Sequence, residues 1–158
     1  MEDDEMLEAV LEREGGFVFN PTDKGGATNL GVTRATLSAY RGKEASVDDI
    51  RNLTREEAKD IYRAKYLDGP GFRNIKHAKL RELVVDCGIH HGPVRATKWL
   101  QDLLGLTEDG FFGPLTEKAV NDAEPVRLYA RLCEKRLRFF GWLFKEMPSQ
   151  REFAAGWI

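Results

Sequence analysis

Leu7, Val10 and Leu11 recur at three- and four-residue spacing, and this stripe predicts a helix from about Asp3 to Glu14. Glu14 adds one more step to the stripe, so it is the carboxylate expected to face the interior at that helix end, while Glu12 and Arg13 project elsewhere. Gly15-Gly16 then stops the helix, because glycine tolerates the left-handed backbone of a helix cap. From Phe17 to Thr33 the helical period is lost. The runs FVFN, PTDKGG and TNLGVT read as short extended pieces around turns, with Asn20, Pro21, Asp23, Gly25 and Gly26 as turn residues, and predict a small β-hairpin.

Helical spacing returns afterwards. A helix is expected from about Thr33 to Tyr40, and another in TREEAKDIYRAKYL, where Thr54 and Glu57 stand at the spacing of a capping box. Gly69-Pro70-Gly71-Phe72 breaks the chain. Leu80, Leu83, Val84 and Cys87 then form one apolar series, and Trp99, Leu100, Leu103 and Leu104 the next, divided by Gly92-Pro93. Gly113-Pro114 and Glu124-Pro125 predict two further helix starts, with proline at the first helical position. The second opens a long segment to about Lys145, and a short one, SQREFAAGWI, follows. The expected fold is mainly α with a small N-terminal β-hairpin. It comprises one half over residues 1–68 and a helical half over 69–158, packed as one compact unit. No internal repeat or low-complexity tract is present.

Composition narrows the function classes. At 158 residues and 42% hydrophobic content the chain can bury a real core. Its 24 Lys and Arg nearly balance 26 Asp and Glu, so no whole-molecule field points to nucleic acid as partner. Cys87 and Cys133 are too few for a disulfide framework or a zinc cluster and are expected as free thiols in apolar patterns. The acidic start MEDDEMLEAVLERE lacks the basic and apolar regions of a secretory signal, and no stretch approaches the ~20 apolar residues of a membrane span. These features predict a protein made in the cytoplasm, without stable membrane insertion, whose passage to any outer compartment depends on a separate pore.

The stretch from Glu14 to Thr33 carries the candidate chemistry. A carboxyl on the apolar face of a helix end has its charged form disfavoured, which suits a general acid, while Asp23 in a polar, glycine-flanked turn is expected to stay ionised. Two carboxyls in contrasting environments are what glycoside hydrolysis requires, one to protonate the leaving oxygen and one to stabilise positive charge or activate water. The Thr28 hydroxyl could orient that water. The same residues also read as a capped helix end followed by an ordinary hairpin turn.

A second passage, KWLQDLLGLTEDGFFGPLTEKAV, sets Leu100-Gln101, Leu104-Gly105-Leu106, Asp109-Gly110, Phe112-Gly113-Pro114 and Thr116 in an order that resembles the repeat of peptidoglycan-binding modules. It also reads as a generic pair of helices joined by a turn. Together with Glu14-Gly15-Gly16, the Gly-Gly-Ala-Thr-Asn-Leu-Gly-Val-Thr stretch at 25–33, YRAKY at 62–66 and the terminal FAAGW, the chain resembles glycoside hydrolase family 108. These are small phage and bacterial lysozymes that cut the glycan of peptidoglycan. The resemblance implies a lysozyme-like helical fold, Glu14 as catalytic acid, and Asp23 and Thr28 in the Glu, Asp, Thr order of phage lysozymes. It implies substrate contacts at Asn29, Tyr62, Tyr66, His90 and His91, no cofactor, bacterial peptidoglycan as partner, and a monomer. The chain departs from the family pattern at Leu67, where an aromatic is expected, and at His90 or His91, where Asn is expected; both are expected to line a groove.

Other signals fit less well. Adjacent His90 and His91 cannot share one metal from a helix as an i, i+4 pair can, and TEDGFF lacks the alternating ligands of a calcium loop. Arg127, Arg131, Lys135, Arg136 and Arg138 gather on the long C-terminal helix, either as a solvated face or as an attraction for a polyanionic wall. Trp99, Trp142 and Trp157 read as core or groove residues. Phe139, Phe140, Trp142 and Phe144 are too dense for one face, so part of this aromatic surface is left for sugar or a partner. Three rivals stand beside the hydrolase: a lytic transglycosylase with Glu14 alone, a wall-binding module without catalysis, and a structural role in a phage particle.

Overall fold

The computed structural model describes residues 2–19 and 26–147. It is mainly α with one small sheet, and it divides into two compact units, Met1–Pro70 and Gly71–Ile158.

In the first unit, α1 (Glu2–Glu14) buries Leu7, Val10 and Leu11 as its stripe requires. The strands β1 (Thr28–Asn29) and β2 (Val32–Thr33) pair antiparallel, Thr28 opposite Thr33 and Asn29 opposite Val32. Their two-residue turn, Leu30-Gly31, has φ of 53° and 77°, the doubly positive signature of the tight hairpin turn whose twist matches the strands. Leucine is an unusual residue at such a φ, and its place is held from two sides. Its N–H donates to the Gly15 carbonyl (3.1 Å), and its carbonyl accepts from the Tyr62 hydroxyl (3.1 Å). A bridge between Val18 and Thr28 widens the sheet.

Thr33 caps α2 (Arg34–Arg41), and Ser46 and Asp49 form a full capping box at α3 (Val47–Arg51). The expected box at Thr54 is only half made. Thr54 accepts from the Glu57 N–H at the start of α4 (Arg55–Tyr62), but the Glu57 carboxylate is taken bidentately by Arg41 at 2.8 Å. Helix α4 packs on α1 through Ala58, Ile61 and Tyr62. Its Lys59 is only 5% exposed and sits among Glu8, Asp4 and Glu56 at 2.8–3.4 Å. The helix expected to run through YRAKYL instead opens at Arg63 into a π-helix, Arg63–Asp68. Leu67 lies there fully buried, so the departure from the family pattern at this position is a core substitution rather than a groove-lining one.

The second unit holds α5 (Ala78–His91), α6 (Pro93–Leu103), α7 (Pro114–Asp122) and α8 (Pro125–Glu146). Helices α5, α6 and α8 pack on one another around Val84, Leu100, Leu132 and Phe140. Gly92, at φ 87°, makes the corner between α5 and α6. Cys87 is buried and free, its thiol pushed up to about 12 by burial, while Cys133 is half-buried. The expected final segment SQREFAAGWI, with Trp157, lies outside the described residues. No helix among the described residues is long and apolar enough to cross a membrane.

Candidate functional site

Glu14 is the last residue of α1, and the structure corrects its expected setting. The side chain is exposed rather than turned into the core, because the apolar stripe ends at Leu11 and the helix is leaving the interior when it reaches Glu14. One flank of the side chain is nevertheless defined. A β-carbon built on Gly31 would lie 2.9 Å from Glu14 Oε2 and 2.3 Å from the Tyr62 hydroxyl, so carboxylate and phenol converge on the bare turn glycine. Among the described residues the Glu14 carboxylate has no hydrogen-bond or ion-pair partner.

Tyr62 is 4% exposed and donates to the Leu30 carbonyl. Burial, with the nearby Glu14 charge adding to it, pushes its phenol well above the usual value, so it remains a neutral donor. Tyr66 follows in the π-helix, half-buried, with its ring 5.6 Å from that of Tyr62 and the Lys65 ammonium 5.4 Å over its own ring. The fold therefore gathers Glu14, the hairpin turn, Tyr62 and Tyr66. The wide turns of π-helices occur frequently at functional sites.

Thr28 and Asn29 lie on β1 with alternate facings. Asn29 is buried at 8% exposure, and its amide nitrogen is committed to the carbonyls of Ile50 (3.0 Å) and Arg51 (3.3 Å), pinning the hairpin to α3. Thr28 is half-buried and gives its backbone to Val18. Asp23 lies outside the described residues.

His90 and His91 belong to the second unit, on the last turn of α5, where they meet a pair the sequence reading missed. Asp86, one turn back, and Arg136 on α8 form an ion pair at 2.7 Å, with side chains only 21% and 13% exposed. Burial pushes Asp86 upward, but hydrogen bonds from His90 and Arg136 outweigh it and hold the carboxyl at about 2. The Asp86 hydrogen bond raises His90, while burial and the adjacent Arg136 hold His91 down to about 4. His91 accepts from Arg136 Nε at 3.1 Å and packs its ring against Trp99, Phe139 and Phe140. The i, i+4 spacing of Asp86 and His90 was a usable signal for this cluster; the distant Arg136 was not. Three of the basic residues of α8 are spent on ion pairs: Lys135 with Asp102, Arg136 with Asp86, Arg138 with Glu134.

The passage resembling a binding repeat is organised around Gln101, which is 1% exposed. Its amide nitrogen lies 2.8 Å from Asp109 Oδ1, 3.1 Å from the Phe111 carbonyl and 3.1 Å from Thr116 Oγ1, and its amide oxygen accepts from the Gly110 N–H at 2.9 Å. Gly110, at φ 77°, has no room for a side chain, since a β-carbon would meet Val94 at 2.8 Å. The spaced Gln, Asp-Gly and Thr are thus one buried hydrogen-bond hub that shapes the connection from α6 to α7.

The family model for glycosyl hydrolase 108 matches residues 7–92, and that for a predicted peptidoglycan domain matches 95–158. Among solved structures, Brucella abortus SagA is 37% identical, with a TM-score of 0.81 over 98% of this chain and 86% of that one. Comparison with the curated proteins gives no match.

Proposed function

The chain belongs to the glycosyl hydrolase 108 family, with a peptidoglycan-type domain after it, and from that premise we propose that it hydrolyses the β-1,4 bond between N-acetylmuramic acid and N-acetylglucosamine. The observation that carries this reading is the Glu14 carboxyl. It is open to solvent, uncommitted to any described partner, and seated on Gly31 beside a neutral, buried tyrosine. Glu14 protonates the glycosidic oxygen, and the leaving sugar departs as the oxocarbenium-like transition state develops. Asp23 stabilises the positive charge or activates water, and Thr28 places that water. Tyr62 holds the hairpin turn under Glu14, and Tyr66 offers its half-exposed ring to the glycan.

On this reading the protein is a bacteriolytic, endolysin-type enzyme, made in the cytoplasm and reaching the wall through a separate pore. The test is mass spectrometry of soluble products from purified sacculi treated with wild type and with Glu14→Gln. Reducing-end muropeptides from wild type alone are the expected result. Anhydro products would reassign the chain to the transglycosylases, and equal release by the variant would remove Glu14 from the chemistry.

A further inference from the structure

A cavity of about 260 Å³ in the second unit is lined by His90 and His91 of α5, Arg95 of α6, and Phe139, Phe140 and Leu143 of α8. Its polar lining among the described residues consists of nitrogen groups and no carboxylate. Arg95 lays its guanidinium 4.6 Å over the Phe139 ring and, unlike Lys135, Arg136 and Arg138, has no carboxylate partner among the described residues. His91 accepts from Arg136 through Nε2, which places its ring proton on Nδ1 as a donor. His90 is engaged at Nδ1 by Asp86 and Arg136, leaving Nε2 for a ligand. Asp86, the nearby anion among the described residues, is already held by Arg136. Among the described residues the site has no carboxylate of its own, and its walls are largely apolar.

We propose that this cavity binds the terminal carboxylate of a peptidoglycan stem peptide, with Arg95 against the carboxylate and the small aliphatic side chain of the last residue on Phe139, Phe140 and Leu143. The assignment rests on the reading that the protein acts on peptidoglycan. It adds that the second unit reads peptide rather than sugar. Size is compatible with it: the cavity of about 260 Å³ has room for one or two small residues. Chemistry supports it as well, since a planar guanidinium braced on an aromatic face is suited to a carboxylate.

The experiment is tryptophan fluorescence of the full chain, because Trp99 and Trp142 both pack on Phe139. The probes are a free stem tetrapeptide, the same peptide as its C-terminal amide, and glycan strands stripped of peptide. The acid should bind, with the amide and the Arg95→Gln variant each weakened about tenfold or more. Equal binding of acid and amide, indifference to Arg95→Gln, or competition by bare glycan would each overturn the assignment. Sedimentation of the Glu14→Gln variant with intact sacculi, which it is expected to leave undigested, separates the two levels. A protein that sediments but ignores the peptide loses only this inference, whereas one that does not sediment loses the peptidoglycan reading too.

Discussion

Gln101 and Glu14 both stand beside glycine-rich turns at helix ends, and both belong to motifs visible in the sequence, yet the fold treats them in opposite ways. The Gln101 amide has its donor and acceptor ends occupied inside the protein. The Glu14 carboxylate is left over, with the bare α-carbon of Gly31 beneath it. Fixed polar spacing is thus evidence of architecture when the partners lie within the motif, and evidence of chemistry when the fold leaves a group unspent. If Glu14 is the acid, as proposed above, the comparison also reverses the expectation that burial marks it, since the buried polar side chain is scaffold and the exposed one is left for chemistry.

The strongest way to break this contrast is Glu14→Gln. Loss of a general acid should lower turnover by about 10²–10⁴-fold, while the melting temperature, with no hydrogen bond lost, stays within about a degree. A drop in stability comparable to that of a core substitution would show that Glu14 is also scaffold. The mirror experiment is Gln101→Ala, which strands the Gly110 N–H and removes partners from Asp109 and Thr116. It should cost about 3 kcal/mol in urea unfolding. A cost under about 0.5 kcal/mol, the level of ordinary surface changes, would dissolve the hub.

Gly31→Ala sharpens the contrast at the Glu14 corner. A β-carbon at φ 77° meets the Tyr62 hydroxyl and the Glu14 carboxylate, so about 2 kcal/mol of stability should be lost together with activity. Loss of stability with unchanged kcat would detach the turn from the site.

The smallest effects are in pH dependence. Hydrogen bonds from Arg55 and Lys59 hold Glu8 at about 2 against a usual value of 4.5, so its contribution is present above 4.5 and lost as pH falls toward 2. His91, held to about 4, contributes fully above 6.5 and loses that contribution as pH falls from 6.5 to 4. His90 acts in reverse: its raised value makes its contribution complete below 6.5 and lost as pH rises through the folded value. Histidine ring NMR should therefore show the two neighbours titrating on opposite sides of 6.5. A shared midpoint would contradict the Asp86–Arg136 arrangement.

Much of this was legible in the chain because the signals are local. The 3.6-residue stripes of α1 and α5, the prolines opening α6, α7 and α8, and the glycine-bounded hairpin each depend on neighbours a few residues away. What escaped depends on partners far along the chain. Glu57 abandons its half of the capping box for Arg41, sixteen residues back, and Arg136 reaches Asp86 across fifty. Glu14 was misplaced for a related reason: a stripe gives the direction of a side chain but not where the core ends. The motif suggested Asn29 only as a substrate contact, whereas its use as a peg into α3 required the fold.

The π-helix from Arg63 to Asp68 carries a consequence for how this region could vary. Its hydrogen bonds close one residue wider than those of an α-helix, so the segment stores an extra residue in the middle of a helical run. Deleting one residue there would let the ladder close as an ordinary helix, giving up the stored residue while the chain beyond keeps its register. Tyr62, ahead of the deletion, would keep its grip on the hairpin, while the Tyr66 ring would shift within the tightened turn. A single codon lost or gained at this point is a coarse adjustment of the aromatic surface near Glu14 that leaves the acid itself untouched.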